Sequence, residues 1–189
     1  MTKPVRRVVT GHRADGRSAV LLQGAAPNAI RRQAGNGSTL IWVTDEAPAH
    51  TSGKDRAARD IGVPPPRRGT LFRVAEFPPG FGVAAGSAGV PIADLALGPD
   101  ILPGRAPRYP GVHRTRSVDY VAVLEGEIHL LLDEGEIRLQ AGDVVVQQAT
   151  NHAWINRSGG VCRLAMVFVD AEEPPEIVDF QSANPERQE

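Results

Sequence analysis

The sequence of 189 residues is short of cysteine and of long apolar runs. Its one cysteine, Cys162, excludes an internal disulfide, and the apolar run around it favours a buried, inert thiol. The longest uninterrupted apolar run, residues 164–169, is too short to cross a bilayer, and the first residues lack the apolar region of a signal peptide. These absences predict a cytoplasmic protein that has no membrane partner.

The sequence also lacks an excess of charge of either sign. Lys and Arg number 21 against 22 Asp and Glu, so the formal net charge is −1. This balance gives no electrostatic reason to expect nucleic acid as a partner. The chain contains no phosphate-binding or dinucleotide-binding glycine motif, no G-x-S-x-G and no Cys-x-x-Cys. Phosphoryl transfer, Rossmann redox chemistry and serine hydrolysis therefore lack support, and a small molecule is the expected partner.

Glycine and proline are abundant, at 20 and 16 residues. Helix interiors tolerate neither residue well, so the composition favours an all-β domain spanning 1–189. Short apolar runs separated by turn residues are typical of a β-sandwich or barrel. The strands predicted in this way are 5–9, 18–22, 39–44, 70–77, 118–124, 128–132, 137–140, 144–147 and 162–169.

Three parts of the domain are distinguished by this pattern. Residues 1–69 supply N-terminal strands and a loop that pack on a barrel formed by 70–170, and 171–189 form an acidic tail. Two segments rich in glycine and proline, 45–69 and 78–111, are long loops. Loops of such length are uncommon in compact domains and often are lids or binding loops. Residues 80–112 are therefore either a cover over a pocket or a flexible insertion.

Polar side chains at even spacing indicate a site. His113, Thr115, Ser117 and Asp119 share one face of an extended strand, and burying them is costly unless they bind a partner. Together with His152, they offer two imidazoles and one carboxylate, the ligand set of mononuclear Fe(II) sites, which also suits Zn(II), Mn(II) or Ni(II). His113, Asp119 and His152 are thus predicted to hold one divalent metal. A metal-free lumen, in which they bond one another or an organic ligand, is an equal alternative.

The first of these segments resembles a known motif. The first motif of the cupin superfamily runs His-x-His, three or four residues, Glu, six residues, Gly. In this sequence His113 and Gly126 match, while Thr115 stands where the second histidine belongs and Asp119 replaces the glutamate. Threonine is a poor donor to a divalent ion, so the resemblance implies a weakened metal site.

A second segment resembles the other cupin motif. Gly142, His152 and Asn156 match its glycine, histidine and asparagine, although His152 comes one residue early. Asn156 is expected to bond to the backbone near the turn that follows it.

The resemblance implies an antiparallel jelly-roll β-barrel, here with an N-terminal β extension, that forms a homodimer. For function it implies a metal-dependent enzyme acting on a small organic acid or an aromatic or hydroxylated metabolite, of the dioxygenase, decarboxylase or dehydratase type. The alternative is a metal-free binding or sensing module without activity. The predicted pocket is lined by Thr115, Val121, Val123, Trp154, Met166 and Phe168.

Overall fold

The computed structural model describes residues 4–51, 53–83, 95, 97, 98, 101–103 and 111–178. Within these ranges the chain forms short β-strands and one helical turn at 175–178. The strands are β1 Arg6–His12, β2 Ser18–Ala25, β3 Ala29–Arg31, β4 Gly37–Thr44, β5 Thr70–Phe77, β6 Leu102–Pro103, β7 His113–Arg114, β8 Ser117–Glu125, β9 Glu127–Leu131, β10 Glu136–Gln140, β11 Val144–Gln148, β12 Ala153–Ile155 and β13 Cys162–Asp170.

Antiparallel pairing organises these strands into two main sheets. The larger has the order β11-β8-β13-β5-β4-β3, and the smaller has the order β10-β9-β12. Apolar side chains of both sheets, such as Leu71, Leu164 and Ile128, belong to one buried core, so the sheets pack face to face. β1 and β2 form a separate hairpin, while β4 and β3 extend the larger sheet beside β5. The predicted all-β, jelly-roll architecture is confirmed.

The predicted strands are confirmed where the apolar pattern is long enough to show alternation. β5, β8 and β13 coincide with their predicted runs to within one residue at either end. Four strands were missed: β3, β6, β7 and β12, which have two or three residues each. Strands this short carry no readable period, and their position depends on pairing with distant neighbours.

The loop 45–69 contains no strand in its described residues, as predicted, but it packs on the barrel. Ala57 and Val63 are buried in the core, and Asp55 makes an ion pair with Arg7 of β1. Most of the second loop, 80–112, lies outside the described residues, and the prediction of a cover or a flexible insertion lies there with it. In the part of the chain that the structure describes, no helical segment has the length and hydropathy of a membrane span.

The outer face of β8 and β11 is apolar and exposed. Tyr120 is 53% exposed, as expected from its phase opposite Asp119, and Val144 and Val146 are exposed beside it. β11 is also an edge strand of the larger sheet. The homodimer remains a prediction.

Candidate active site

A cavity of about 80 Å³ opens between the larger sheet and the segments that cover its inner face. Most of its wall is apolar. The wall is formed by Arg32, Asn36, Gly37, Ser38, Val63, Arg73, Ala75, Phe77, Phe81, Leu95, Leu97, Gly111, His113, Thr115, His152, Ala153, Trp154, Ile155, Met166 and Phe168. An apolar cavity with a few convergent polar groups is the usual form of a small-molecule site.

Two histidines stand side by side in this wall. The backbones of His113 and His152 form an isolated antiparallel bridge, with N–H to O distances of 3.0 and 2.9 Å. This pairing brings the two ring centroids to 4.6 Å from each other, although 38 residues separate the two side chains in the sequence. Both side chains are buried. The two sequence motifs therefore meet at one point, as the sequence predicts.

The protein engages the same ring nitrogen of each histidine. Nδ1 of His113 lies 2.8 Å from the carbonyl oxygen of Gly111, which only accepts, so Nδ1 carries the hydrogen in the neutral ring and Nε2 has a free lone pair. Nδ1 of His152 lies 2.7 Å from Nε2 of Gln147 and 2.9 Å from the Thr150 carbonyl oxygen. In both rings Nε2 is the nitrogen left for a ligand.

Burial keeps both imidazoles uncharged. It lowers the pKa of His113 below its usual value of 6.5. Burial, reinforced by the neighbouring His113, lowers the pKa of His152 to about 3. At neutral pH the cavity therefore presents two neutral imidazoles, which can accept a proton or hydrogen-bond a polar ligand.

Asp119 is buried on β8, whereas His113 lies on β7, so the predicted single strand is broken between them, and Asp119 does not line the cavity. Ser117 Oγ donates to Asp119 Oδ1 at 2.5 Å and also lies 2.8 Å from Thr115 Oγ1. Within the described ranges, no three His, Cys, Asp or Glu side chains are grouped closely enough to hold a metal ion. The structure brings His113 and His152 together but does not add Asp119 to them. In this arrangement His113, His152 and Asp119 do not form a His–His–carboxylate metal site. A metal bound by these three residues stays a prediction.

The buried carboxyl of Asp119 is expected to make stability depend on pH. Burial raises its pKa to about 7 from the usual value of 3.8, although the hydrogen bonds of Ser117 and Thr115 act in the opposite direction. Between pH 4 and 7 the folded protein retains a proton that the unfolded chain has lost, so this group stabilises the fold less as pH rises.

Asp119→Asn removes this titration. Relative to wild type, the variant is expected to gain stability from pH 4 to pH 8, by a few kcal/mol, about 1.4 kcal/mol per pKa unit. Urea unfolding of both proteins at each pH measures the difference, and subtraction cancels the contribution of the histidines. A difference that is constant with pH would contradict the expectation.

The predicted pocket is only partly the observed one. Thr115, Trp154, Met166 and Phe168 line the cavity. Val121 and Val123 are buried but pack in the core instead, where their Cα partners on β13 are Met166 and Leu164. Sharing a strand face is not enough to line a cavity, because neighbouring core side chains fill part of the barrel interior.

Sequence reasoning missed the cationic part of the cavity. Arg73 of β5 is 4% exposed, and Arg32, Asn36 and Ser38 come from the β3–β4 turn and its flanks. Arg73 has the same phase as Leu71, Ala75 and Phe77, all buried. An arginine in the apolar phase of a strand was the signal that could have revealed it.

The other motif residues have structural roles. Asn156 is fully buried and donates from Nδ2 to the carbonyl oxygens of Phe77 and Gly160, at 2.9 and 2.8 Å. Its Oδ1 accepts from the backbone N–H of Ser158 at 2.9 Å. The predicted role of Asn156 in the following turn is confirmed.

His129 contacts Glu136 across the β9–β10 pair and does not line the cavity. Cys162 is fully buried, as predicted, and burial raises the pKa of its thiol to about 12.

Fold and cavity together define a class of protein: a small antiparallel β-barrel with an apolar interior cavity and a polar patch in its wall. Residues 101–168 match the family model described as Cupin domain. The chain is 35% identical over 177 residues to phomopsin biosynthesis cluster protein C' of Diaporthe leptostromiformis, covering 92% of this chain and 81% of that protein. It is 34% identical over 171 residues to the cupin-domain-containing oxidoreductase fogC of Aspergillus ruber, covering 87% and 71%. The chain belongs to the cupin superfamily.

Solved structures are similar to this chain at low sequence identity. The cupin domain of Schizosaccharomyces pombe Cnp3 is 9% identical, with a TM-score of 0.43 over 94% of this chain and 93% of that one. A Cupin 2 conserved barrel domain protein from Salinispora arenicola is 13% identical, with a TM-score of 0.41 over 82% and 89%.

Proposed function

We propose that this cupin is a small-molecule enzyme that moves a proton on a substrate bound in the cavity, with His113 as general base and His152 as a neutral hydrogen-bond partner. The observation that carries the proposal is the pair of adjacent, buried, neutral imidazoles in the cavity wall. Two such groups, each with Nδ1 engaged by the protein, are oriented for work at Nε2.

The chemistry follows from the two rings. Nε2 of His113 accepts the proton of a C–H bond next to a substrate carbonyl, and the electron pair moves to the carbonyl oxygen as an enolate. Nδ1 of His152 donates to the Thr150 carbonyl oxygen, so Nε2 of this ring also has a lone pair and accepts from a hydroxyl of the substrate. His113 then returns the proton to another carbon, or to a departing hydroxyl that leaves as water. The reaction class is isomerisation or dehydration.

The wall suggests the kind of substrate. The space beside the histidines is lined by aromatic rings and a thioether, which favour a compact molecule with an apolar or aromatic body. These side chains are Phe77, Phe81, Trp154, Met166 and Phe168. Two relatives are named as members of the phomopsin biosynthesis cluster, which agrees with a metabolite as substrate.

A metal-dependent enzyme is the second candidate. Relatives named cupin-domain-containing oxidoreductases favour it, as do the two Nε2 atoms of His113 and His152, which are nitrogen donors of the usual kind. The residues described add no third ligand to them. A metal-dependent enzyme therefore needs a further metal ligand besides His113 and His152.

Isotope exchange tests the proposal. The protein is incubated in D₂O with a library of one-ring keto and hydroxy acids, and mass spectrometry follows deuterium entering carbon positions next to the carbonyl. We expect protein-dependent exchange that persists after treatment with EDTA. Absence of exchange across the library would overturn the proposal. Exchange lost with EDTA and restored by Fe(II), Mn(II), Zn(II) or Ni(II) would favour the second candidate.

A further inference from the structure

Arg73 is a buried cation that contacts no carboxylate in the part of the chain that the structure describes. Three arginines are buried in the part of the chain described: Arg7, Arg73 and Arg114, at 8%, 4% and 5% exposure. Arg7 binds Asp55 through two nitrogens, at 2.8 and 2.5 Å, and Arg114 binds Glu173 at 2.6 Å. Arg73 has no such partner among the described residues. Buried charges are normally paired, so this guanidinium calls for an anion.

The hydrogen bonds of Arg73 leave part of it unsatisfied. Its Nη2 donates to the Gly62 carbonyl oxygen at 2.5 Å, and Nη1 donates to Ser38 Oγ at 3.3 Å. Both acceptors are neutral, and Nε has no acceptor within the described ranges. The guanidinium carbon lies 5.8 Å from the ring centroid of Phe168, another residue of the cavity wall. These contacts hold the side chain in place, and none of them, within the described ranges, compensates its charge.

The surroundings of Arg73 strengthen the demand for an anion. Burial, and after it the positive charge of Arg32 in the same cavity wall, lowers the pKa of Arg73 to about 9, so Arg73 remains charged at neutral pH. Asn36, also buried in the wall, has an Oδ1 atom without a donor among the described residues. Among the described residues, one wall therefore offers an unused donor on Arg73 and an unused acceptor on Asn36.

We infer that this wall is a carboxylate subsite: Arg73 binds the carboxylate of the substrate, and Asn36 Oδ1 accepts from a hydroxyl next to it. The inference rests on the proposed function and narrows its substrate to a hydroxylated organic acid. Because Arg73, His113 and His152 line one cavity, an acid held at Arg73 occupies the space that the two imidazoles border. A guanidinium recognises a carboxylate through charge and parallel N–H donors, which neutral amides cannot match.

Calorimetry tests the subsite with two acids, salicylate and benzoate. Salicylamide and benzamide serve as their neutral counterparts. We expect the acids to bind wild type and the amides not to bind, and salicylate to bind more tightly than benzoate because of its hydroxyl. In Arg73→Met, affinity for the acids is expected to fall at least about 30-fold, since removing one partner of a buried charged pair costs 2 kcal/mol or more. The unliganded variant should melt no lower than wild type, because a buried unpaired charge is replaced by an apolar chain.

Arg7→Met is the matched control. Arg7 is equally buried but is paired with Asp55 outside the cavity, so this variant should melt lower than wild type and bind salicylate as wild type does. Salicylate binding equally well to wild type and Arg73→Met, or not at all to wild type, would overturn the inference. Equal binding of inorganic phosphate and salicylate would also overturn the carboxylic-acid assignment. Binding that needs Arg73, together with undiminished exchange in His113→Gln, would support the subsite and refute the proposed function.

Discussion

His113→Gln is expected to slow deuterium exchange into a bound keto or hydroxy acid by about 10²–10⁴-fold, the usual contribution of a general base. Glutamine retains a polar group of similar reach, but its amide cannot accept the substrate proton. The affinity for the acid, measured by calorimetry, should change by much less than the rate, because Arg73 supplies the main attraction in our proposal. The rate of exchange measured by mass spectrometry at saturating acid isolates this effect.

The matched control is His129→Gln. His129 contacts Glu136 on the smaller sheet and does not line the cavity, so its replacement should leave exchange unchanged. The wild-type rate should also stay constant from pH 8 to pH 7, because the pKa of His113 is lowered by burial and the base remains unprotonated. An equal loss of exchange in both variants, or no loss in His113→Gln, would contradict the role of His113.

Gly126→Ala is expected to destabilise the fold by about 2–5 kcal/mol. Gly126 joins β8 to β9 with a φ of 74°, a left-handed conformation that costs other residues about 1–2 kcal/mol. An added Cβ would overlap the Val161 carbonyl oxygen and lie 3.1 Å from Cys162 Cα, and relieving such overpacking costs about 1–3 kcal/mol. Urea unfolding followed by circular dichroism measures the loss.

Gly135→Ala separates the two causes. Gly135 turns β9 into β10 with a φ of 91°, but an added Cβ there meets no atom within 4 Å. This variant should lose only the conformational part, about 1–2 kcal/mol. If both variants lose the same amount, the backbone of β13 yields to the new methyl group, and the close approach at Gly126 does not matter for stability.

Most of the barrel could be predicted because its strands alternate and end in glycine turns. In residues 118–124 and 162–169 buried apolar side chains alternate over enough positions to assign both the strand and its buried face. Tyr120 falls between two buried positions and is exposed, as this alternation requires. β3 and β12 could not be predicted, since strands of three residues are defined by their pairing with β4 and β9 rather than by their own side chains. Long-range pairing leaves no local signal.

The candidate site, like the fold, could be predicted only in part. His113 and His152 were predicted to meet, because each belongs to a motif with recognisable spacing. Asp119 was expected beside them, but its short side chain is held by Ser117 instead. Arg73 was missed, because an isolated arginine in a strand says nothing of the charges around it until the fold shows which carboxylates are near.

Local patterns in the sequence were enough to predict an all-β fold of cupin type and two imidazoles that meet, because alternation, turn glycines and motif spacing are properties of neighbouring residues. What those imidazoles face became visible in the folded chain: a mostly apolar cavity that also contains Arg73, a buried cation whose described neighbours include no carboxylate. Burial, charge pairing and the pKa of a group depend on atoms distant in sequence, and these quantities decide the chemistry of the site.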